Sequence, residues 1–222
     1  KRITDDLGPD RLASIAESFY RIGRVIFSGG NVRAALIGDQ ADMEAAASML
    51  SVLLANLSAG NSRNFGPPVV CFDPAPQMEG WSTSTAVSFV AKVIETQPMP
   101  HEDAPALAVI SRILRSMFLH REIREKGGAY GGFAIYQMES GLFYFGSYRD
   151  PHIINTLNVY DAAARFIAEG EYDEENITEA VLQVCSDIDR PDAPGQAASK
   201  AFYRRLIGLS DDLRRDFKKK LL

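Results

Sequence analysis

Histidine is scarce in this sequence: there are three in 222 residues, His101, His120 and His152, and none forms a His-Glu-x-x-His or His-x-x-Glu-His arrangement. Zinc catalysis takes three protein ligands and an open water position. A self-contained metal-hydrolase centre is therefore not expected, and His101 near a helix start and His152 in a turn read as surface residues. No Gly-x-Ser-x-Gly elbow supports a serine nucleophile. The two cysteines, Cys71 and Cys185, are far apart and lack charged neighbours that would lower a thiol pKa. They read as buried structural thiols in a reducing compartment.

No apolar run approaches the ~20 residues that cross a bilayer, and no signal-peptide pattern opens the chain. A soluble cytoplasmic setting without a membrane partner is the expectation. A net charge of -5, from 24 basic and 29 acidic side chains, argues against a nucleic-acid partner, which would need a basic surface. The densest basic patch, Arg214-Arg215 with Lys218-Lys219-Lys220, reads as a solvated helix face. The chain opens at Lys1-Arg2 rather than Met, and the expectation drawn from this is a piece of a longer protein.

What is present is an alternation of helix-period and strand-period segments. Leu12, Ile15, Phe19, Ile22 and Ile26 recur at helical spacing over residues 10 to 27, before a break at Ser28-Gly29-Gly30. Val32 to Ile37 reads as a strand. A helix from about residue 40 carries Met43, Ala46, Leu50, Leu53, Leu54 and Leu57 as the stripe of a helix covering a sheet. Residues 58 to 80, rich in Ser, Gly, Asn and Pro, read as a long loop or linker to an outer strand. Trp81 to Ile94 favours an extended strand.

Pro98 to Pro105 leads into a helix using Leu107, Ile110, Ile113, Leu114, Met117 and Phe118, with acids first and arginines later, as the helix dipole prefers. Gly127-Gly128 ends or interrupts it, and strands follow over residues 129 to 138 and 142 to 148, joined around Glu139-Ser140-Gly141. Asp150-Pro151 turns the chain into a helix using Ile154, Leu157, Ala162 and Phe166. Another starts near Asp173 and stops before Pro191, and residues 195 to 221 are helical with a break at Gly208-Leu209-Ser210. The predicted fold class is a two-layer α/β (α+β) domain with a mixed, largely antiparallel sheet covered by helices.

The most functional-looking stretch is Arg124-Glu125-Lys126-Gly127-Gly128-Ala129-Tyr130. Its glycines do not make a phosphate loop, because Lys126 precedes them and a strand rather than a helix follows. A rigid guanidinium fork and a phenolic donor remain, on either side of a glycine turn able to bring both into one cleft. In a plainer reading, Arg124 pairs with an acid and Tyr130 packs under a hairpin.

The string Glu122-Ile123-Arg124-Glu125-Lys126-Gly127-Gly128-Ala129-Tyr130-Gly131-Gly132, with the later Ser147-Tyr148-Arg149-Asp150-Pro151 and Thr156-Leu157, resembles the presequence-protease-like branch of the pitrilysin/insulinase zinc metallopeptidases. The helix from Asp173 and the following Asp189-Arg190-Pro191 continue the likeness, which covers about residues 30 to 222. The resemblance implies residues 1 to 29 as a helical lead-in or the end of a preceding domain, and 30 to 222 as a C-terminal domain of the family.

It also implies that Arg124 binds peptide and that Tyr130 hydrogen-bonds the scissile carbonyl or tetrahedral oxyanion. Lys126, Gly127, Gly128 and Arg149 become candidates to line the chamber. Arg149 and Asp150 are equally open to a role in holding the strand end. No metal or other cofactor is expected in this chain, with zinc expected on an N-terminal half of the same polypeptide that lies outside these residues. The implied partners are that half and unfolded peptide substrates, and the chain alone is expected to be inactive. The alternative is a non-catalytic structural or peptide-binding domain of the same fold.

Overall fold

The computed structural model describes residues 8–57, 78–170 and 172–222. The chain divides into two compact units, residues 1–79 with 194–198, and residues 80–193 with 199–222. Its helices and strands form a mixed α/β arrangement with one small antiparallel sheet.

The first unit carries α1 (Pro9–Ile26) and α2 (Gln40–Ala55). Gly8 begins α1 in an extended conformation with Pro9 at the first helical position, where its missing N–H is no loss. The strand expected over Val32 to Ile37 is not formed. It has no ladder partner among the described residues, and the Arg33 guanidinium turns back onto the carbonyls of Gly30 and Val32, each at 3.0 Å. The expected covering role of α2 is also corrected. No residue of α2 is buried, and no strand lies in this unit among the described residues to receive its apolar side. Of the long loop read over residues 58 to 80, residues 58–77 and Cys71 with them lie outside the described residues.

The second unit holds the sheet, of strand order β1-β3-β2, from β1 (Ser88–Glu95), β2 (Gly131–Gln137) and β3 (Leu142–Asp150). The strand expected from Trp81 begins only at Ser88. Thr83 and Thr85 bond to each other at 2.7 Å, and the Thr85 hydroxyl donates to the Val87 carbonyl at 3.0 Å. Such local side-chain bonds compete with a ladder. Register places Val90, Phe145 and Ala134 on one buried face together with Phe143 and Tyr136. Phe89 and Val93 lie on the other face, largely exposed.

Helix α3 (Ala104–Ile113) packs on the buried face and continues without a break into a wide π-type helix, Leu114–Lys126. The burial pattern reports this change of pitch. Leu114 and Ile123, nine residues apart, would face opposite sides of an α-helix advancing about 100° per residue. Both are 2% exposed. Helices α4 (Ile154–Glu169) and α5 (Glu174–Asp189) follow, then α6 (Pro194–Leu206) and α7 (Asp211–Leu221). Asp173 caps α5 reciprocally with Asn176, and Ser210 caps α7 through the Leu213 amide.

The core joins Phe118, Phe166, Phe145 and Tyr160 in stacked pairs and takes Phe217 of α7 from the C-terminal end. Cys185 is half-buried rather than fully enclosed, because the buried stripe of α5 runs through Ala180 and Val184. Of the basic residues of α7, Arg215 pairs with Asp212, Lys218 with Asp189 and Lys220 with Asp216 on the solvated side, whereas Arg214 is mostly buried rather than part of the solvated face expected from the sequence.

Candidate functional site

The end of the wide helix builds the first half of the site. Its last turn closes through bonds from the Gly128 amide to the Arg124 carbonyl at 3.0 Å and from the Ala129 amide to the Ile123 carbonyl at 3.1 Å. Gly128 sits at φ 72°, a left-handed conformation that only glycine adopts without strain. Ala129 is buried, which anchors the turn and leaves Arg124 and Tyr130 at its two ends, both exposed.

Charge in this turn is almost fully matched. Glu122 accepts from Lys126 and from Arg121, each at 2.8 Å, and the Lys126 bond leads the causes that lower its pKa below the ordinary carboxylate value. Glu125 Oε1 lies 3.2 Å from His120 Nδ1. Arg124 has no carboxylate partner among the described residues, and its Nη1 lies 3.4 Å from His120 Nε2. His120 thus stands between the two, facing Glu125 with one ring nitrogen and Arg124 with the other.

His120 belongs to this group although no sequence motif marks it. Arg124 is four residues on, as helical neighbours are, but Glu125 is five residues on, a neighbour only where the helix is wide.

Tyr130 is 59% exposed. Its ring packs against Tyr148 of β3 with centroids 5.0 Å apart, and its hydroxyl makes no hydrogen bond within the described residues. Gly131 makes that pairing possible, since a Cβ there would stand 3.0 Å from the Tyr148 ring. The structure thus places Arg124 and Tyr130 on one turn but holds each by a different neighbour, His120 and Tyr148. Lys126 is turned to Glu122, while Gly127 and Gly128 form the helix end itself.

The second matched string ends β3. Asp150 is 1% exposed and accepts from the Ser147 hydroxyl at 2.6 Å, the Thr156 hydroxyl at 2.7 Å and the His152 amide at 2.8 Å. It fastens the strand to the start of α4. Arg149 stands at a bulge, where β1 pairing steps from Tyr148 to Asp150, and it is exposed with φ 51°. Tyr160 behind this network donates to the Val90 carbonyl at 3.2 Å, and burial pushes its phenol up to about 12. Tyr136 is also pushed up to about 12, mainly by burial and then by Glu139.

Among the described residues no three His, Cys, Asp or Glu side chains come together as a metal site. The residues described here do not fit the zinc that the resemblance implies for the family. No described helix is long and apolar enough to cross a membrane.

A family model described as "PreP C-terminal domain" matches residues 81–222. The curated protein "Presequence protease, mitochondrial" of Xenopus tropicalis is 37% identical over 150 residues, covering 68% of this chain and 14% of that protein. Its namesake in Danio rerio is 32% identical over 233 residues, covering 95% of this chain and 22% of that protein. In Mus musculus the figures are 35% over 150 residues, 68% and 14%. This chain therefore spans between 14% and 22% of the length of these relatives. Together with the two matched strings and the helix-covered antiparallel sheet, the match over residues 81–222 establishes that the chain belongs to the presequence-protease C-terminal domain family of the pitrilysin/insulinase group.

Proposed function

We propose that this chain forms the substrate-side wall of a peptidase active site, with Tyr130 and Arg124 acting on the peptide and the metal centre carried by an N-terminal half of the same polypeptide. The observation that carries this reading is the selective openness of the turn. Glu122, Lys126, Glu125 and Arg121 are matched by charged neighbours or His120, whereas the Arg124 guanidinium lacks a carboxylate and the Tyr130 hydroxyl lacks a hydrogen-bond partner among the described residues.

Arg124 supplies a planar set of donors suited to peptide carbonyls or a terminal carboxylate. Its contact with His120 limits its orientations. Tyr130 supplies one donor for an oxygen that gains negative charge as a peptide bond is attacked, a contribution worth about 10²–10³ in rate when such a donor is removed. The ring of Tyr148 fixes its direction. No step is assigned to a metal on this chain, because its described residues offer no ligand set.

Lys126, Gly127, Gly128 and Arg149 are proposed to line the chamber around this pair, and unfolded peptides are the proposed substrates. The domain is proposed to begin upstream of the matched segment, at about residue 30.

The test is turnover of an unstructured peptide by the full-length protein and its Tyr130→Phe variant. We expect a fall in kcat of about 10²-fold with an unchanged unfolding midpoint. Equal turnover rejects Tyr130 as a transition-state donor and leaves the peptide-binding role of the fold.

A further inference from the structure

A cleft of about 190 Å³ lies away from the Arg124–Tyr130 turn, between α3, α5, α7 and the β2–β3 hairpin, wholly within the second unit. Its walls are of two kinds. Met99, Ala108, Val184, Ile188, Leu209 and Phe217 form an apolar floor. Arg112, Arg204 and Arg214 bring three positive charges against the two negative charges of Glu139 and Asp187. The lining is thus net positive in a protein of net charge -5.

The hydrogen-bond accounts of the two kinds of polar group differ. The neutral groups are satisfied: the Ser111 hydroxyl donates to the Ala108 carbonyl at 2.7 Å, and the Tyr136 hydroxyl to the Gln97 carbonyl at 2.6 Å. The arginines are short of acceptors. Arg112 gives Nη2 to Asp187 at 2.5 Å, yet its Nε is buried without a partner. Arg204 has no carboxylate partner among the described residues, and Arg214 meets only the largely exposed Asp211, at 3.5 Å. The Arg112 Nε is enclosed by protein and closed to a ligand, so the donors the cleft leaves open are those of Arg204.

We propose that this cleft binds a small carboxylate carrying a short apolar tail, with the carboxylate held by the Arg204 guanidinium and the tail laid on Met99, Val184, Ile188 and Phe217. A planar guanidinium recognises a carboxylate through paired N–H donors. The volume suits the tail, since a dry cavity of ~150 Å³ takes benzene. Inorganic phosphate would meet the arginines and leave the apolar floor uncovered. A neutral alcohol of the same length would cover the floor and leave the donors unmet.

The test follows the methyl NMR signals of Met99 and Met138 in the 222-residue chain during titration with octanoate, with octanol and with inorganic phosphate. Octanoate is expected to shift both signals saturably, with octanol and phosphate each weaker by about tenfold or more, as loss of a charged hydrogen bond or of the apolar contact requires. Arg204→Ala, which removes no ion pair of the fold, is expected to weaken octanoate by about tenfold or more. Arg205→Ala, one residue along, is expected to leave it unchanged. A second arm with N-acetyl-leucine distinguishes peptide-like from fatty carboxylates, both within the proposed class. Absence of saturable shifts with either carboxylate, equal binding of octanol or phosphate, or an unaltered affinity in Arg204→Ala overturns the proposal.

Discussion

The two strings that carry the family likeness use their polar groups in opposite directions. At the end of β3, Asp150 is almost fully enclosed and gathers three donors from Ser147, His152 and Thr156. At the end of the wide helix, Arg124 and Tyr130 point outward with unspent donors, while the charges around them are matched. A shared motif thus contains an enclosed fastening and an exposed turn with open donors. The two differ in whether their polar groups are spent inside the fold, a difference the sequence likeness does not carry.

The strongest way to break that comparison is Asp150→Ala. Loss of this buried acceptor leaves the His152 amide without its partner and takes one from each of the Ser147 and Thr156 hydroxyls, of which Thr156 keeps the His152 carbonyl, so the unfolding free energy should fall by about 3 kcal/mol, read by urea denaturation. A fall below about 1 kcal/mol would put Asp150 in the same class as the exposed turn.

Alkaline unfolding sharpens the same contrast on the fastened side. Tyr136 and Tyr160, raised to about 12 by burial, remain neutral in the fold at a pH where unfolded phenols, near 10, have ionised. The unfolded chain then holds fewer protons, so stability is intact below pH ~10 and is lost progressively as pH rises toward ~12. Ultraviolet titration of phenolate should show two of the eight tyrosines ionising together with loss of the near-ultraviolet circular dichroism. Ionisation of all eight before any loss of that signal would refute the assignment.

Arg149→Gly should raise stability by about 1 kcal/mol, because a side chain at φ 51° is strained and glycine is not. A destabilised variant would show that the Arg149 side chain holds the bulge. The smallest effect belongs to Arg124→Ala, which should alter stability by less than about 0.5 kcal/mol while raising KM for peptide in the full-length protein. Marked destabilisation would move Arg124 from the exposed turn to the fastening.

Much of the second unit was legible, because its helices and hairpin follow periodic burial with clear caps at Asp173 and Ser210 and a turn at Gly141. The misreadings share a cause. Val32 to Ile37 has strand composition but no partner strand, and the Thr83–Thr85 region spends its groups locally. A ladder is a property of two segments, and one segment cannot announce it. Arg124 and Tyr130 stood out through their motif, but the His120 and Glu125 contacts behind Arg124 did not, because a five-residue spacing has no place in a 3.6-residue pattern.

The wide helix acts as a vernier on the site. Over Leu114–Lys126 each residue advances the azimuth a little less than an α-helix would, and the accumulated difference carries Ile123 inward and fixes the bearing of the next residue, Arg124. Returning this segment to ordinary pitch would swing everything beyond it around the axis. The aim of Arg124 is therefore a count of residues as much as a choice of side chain.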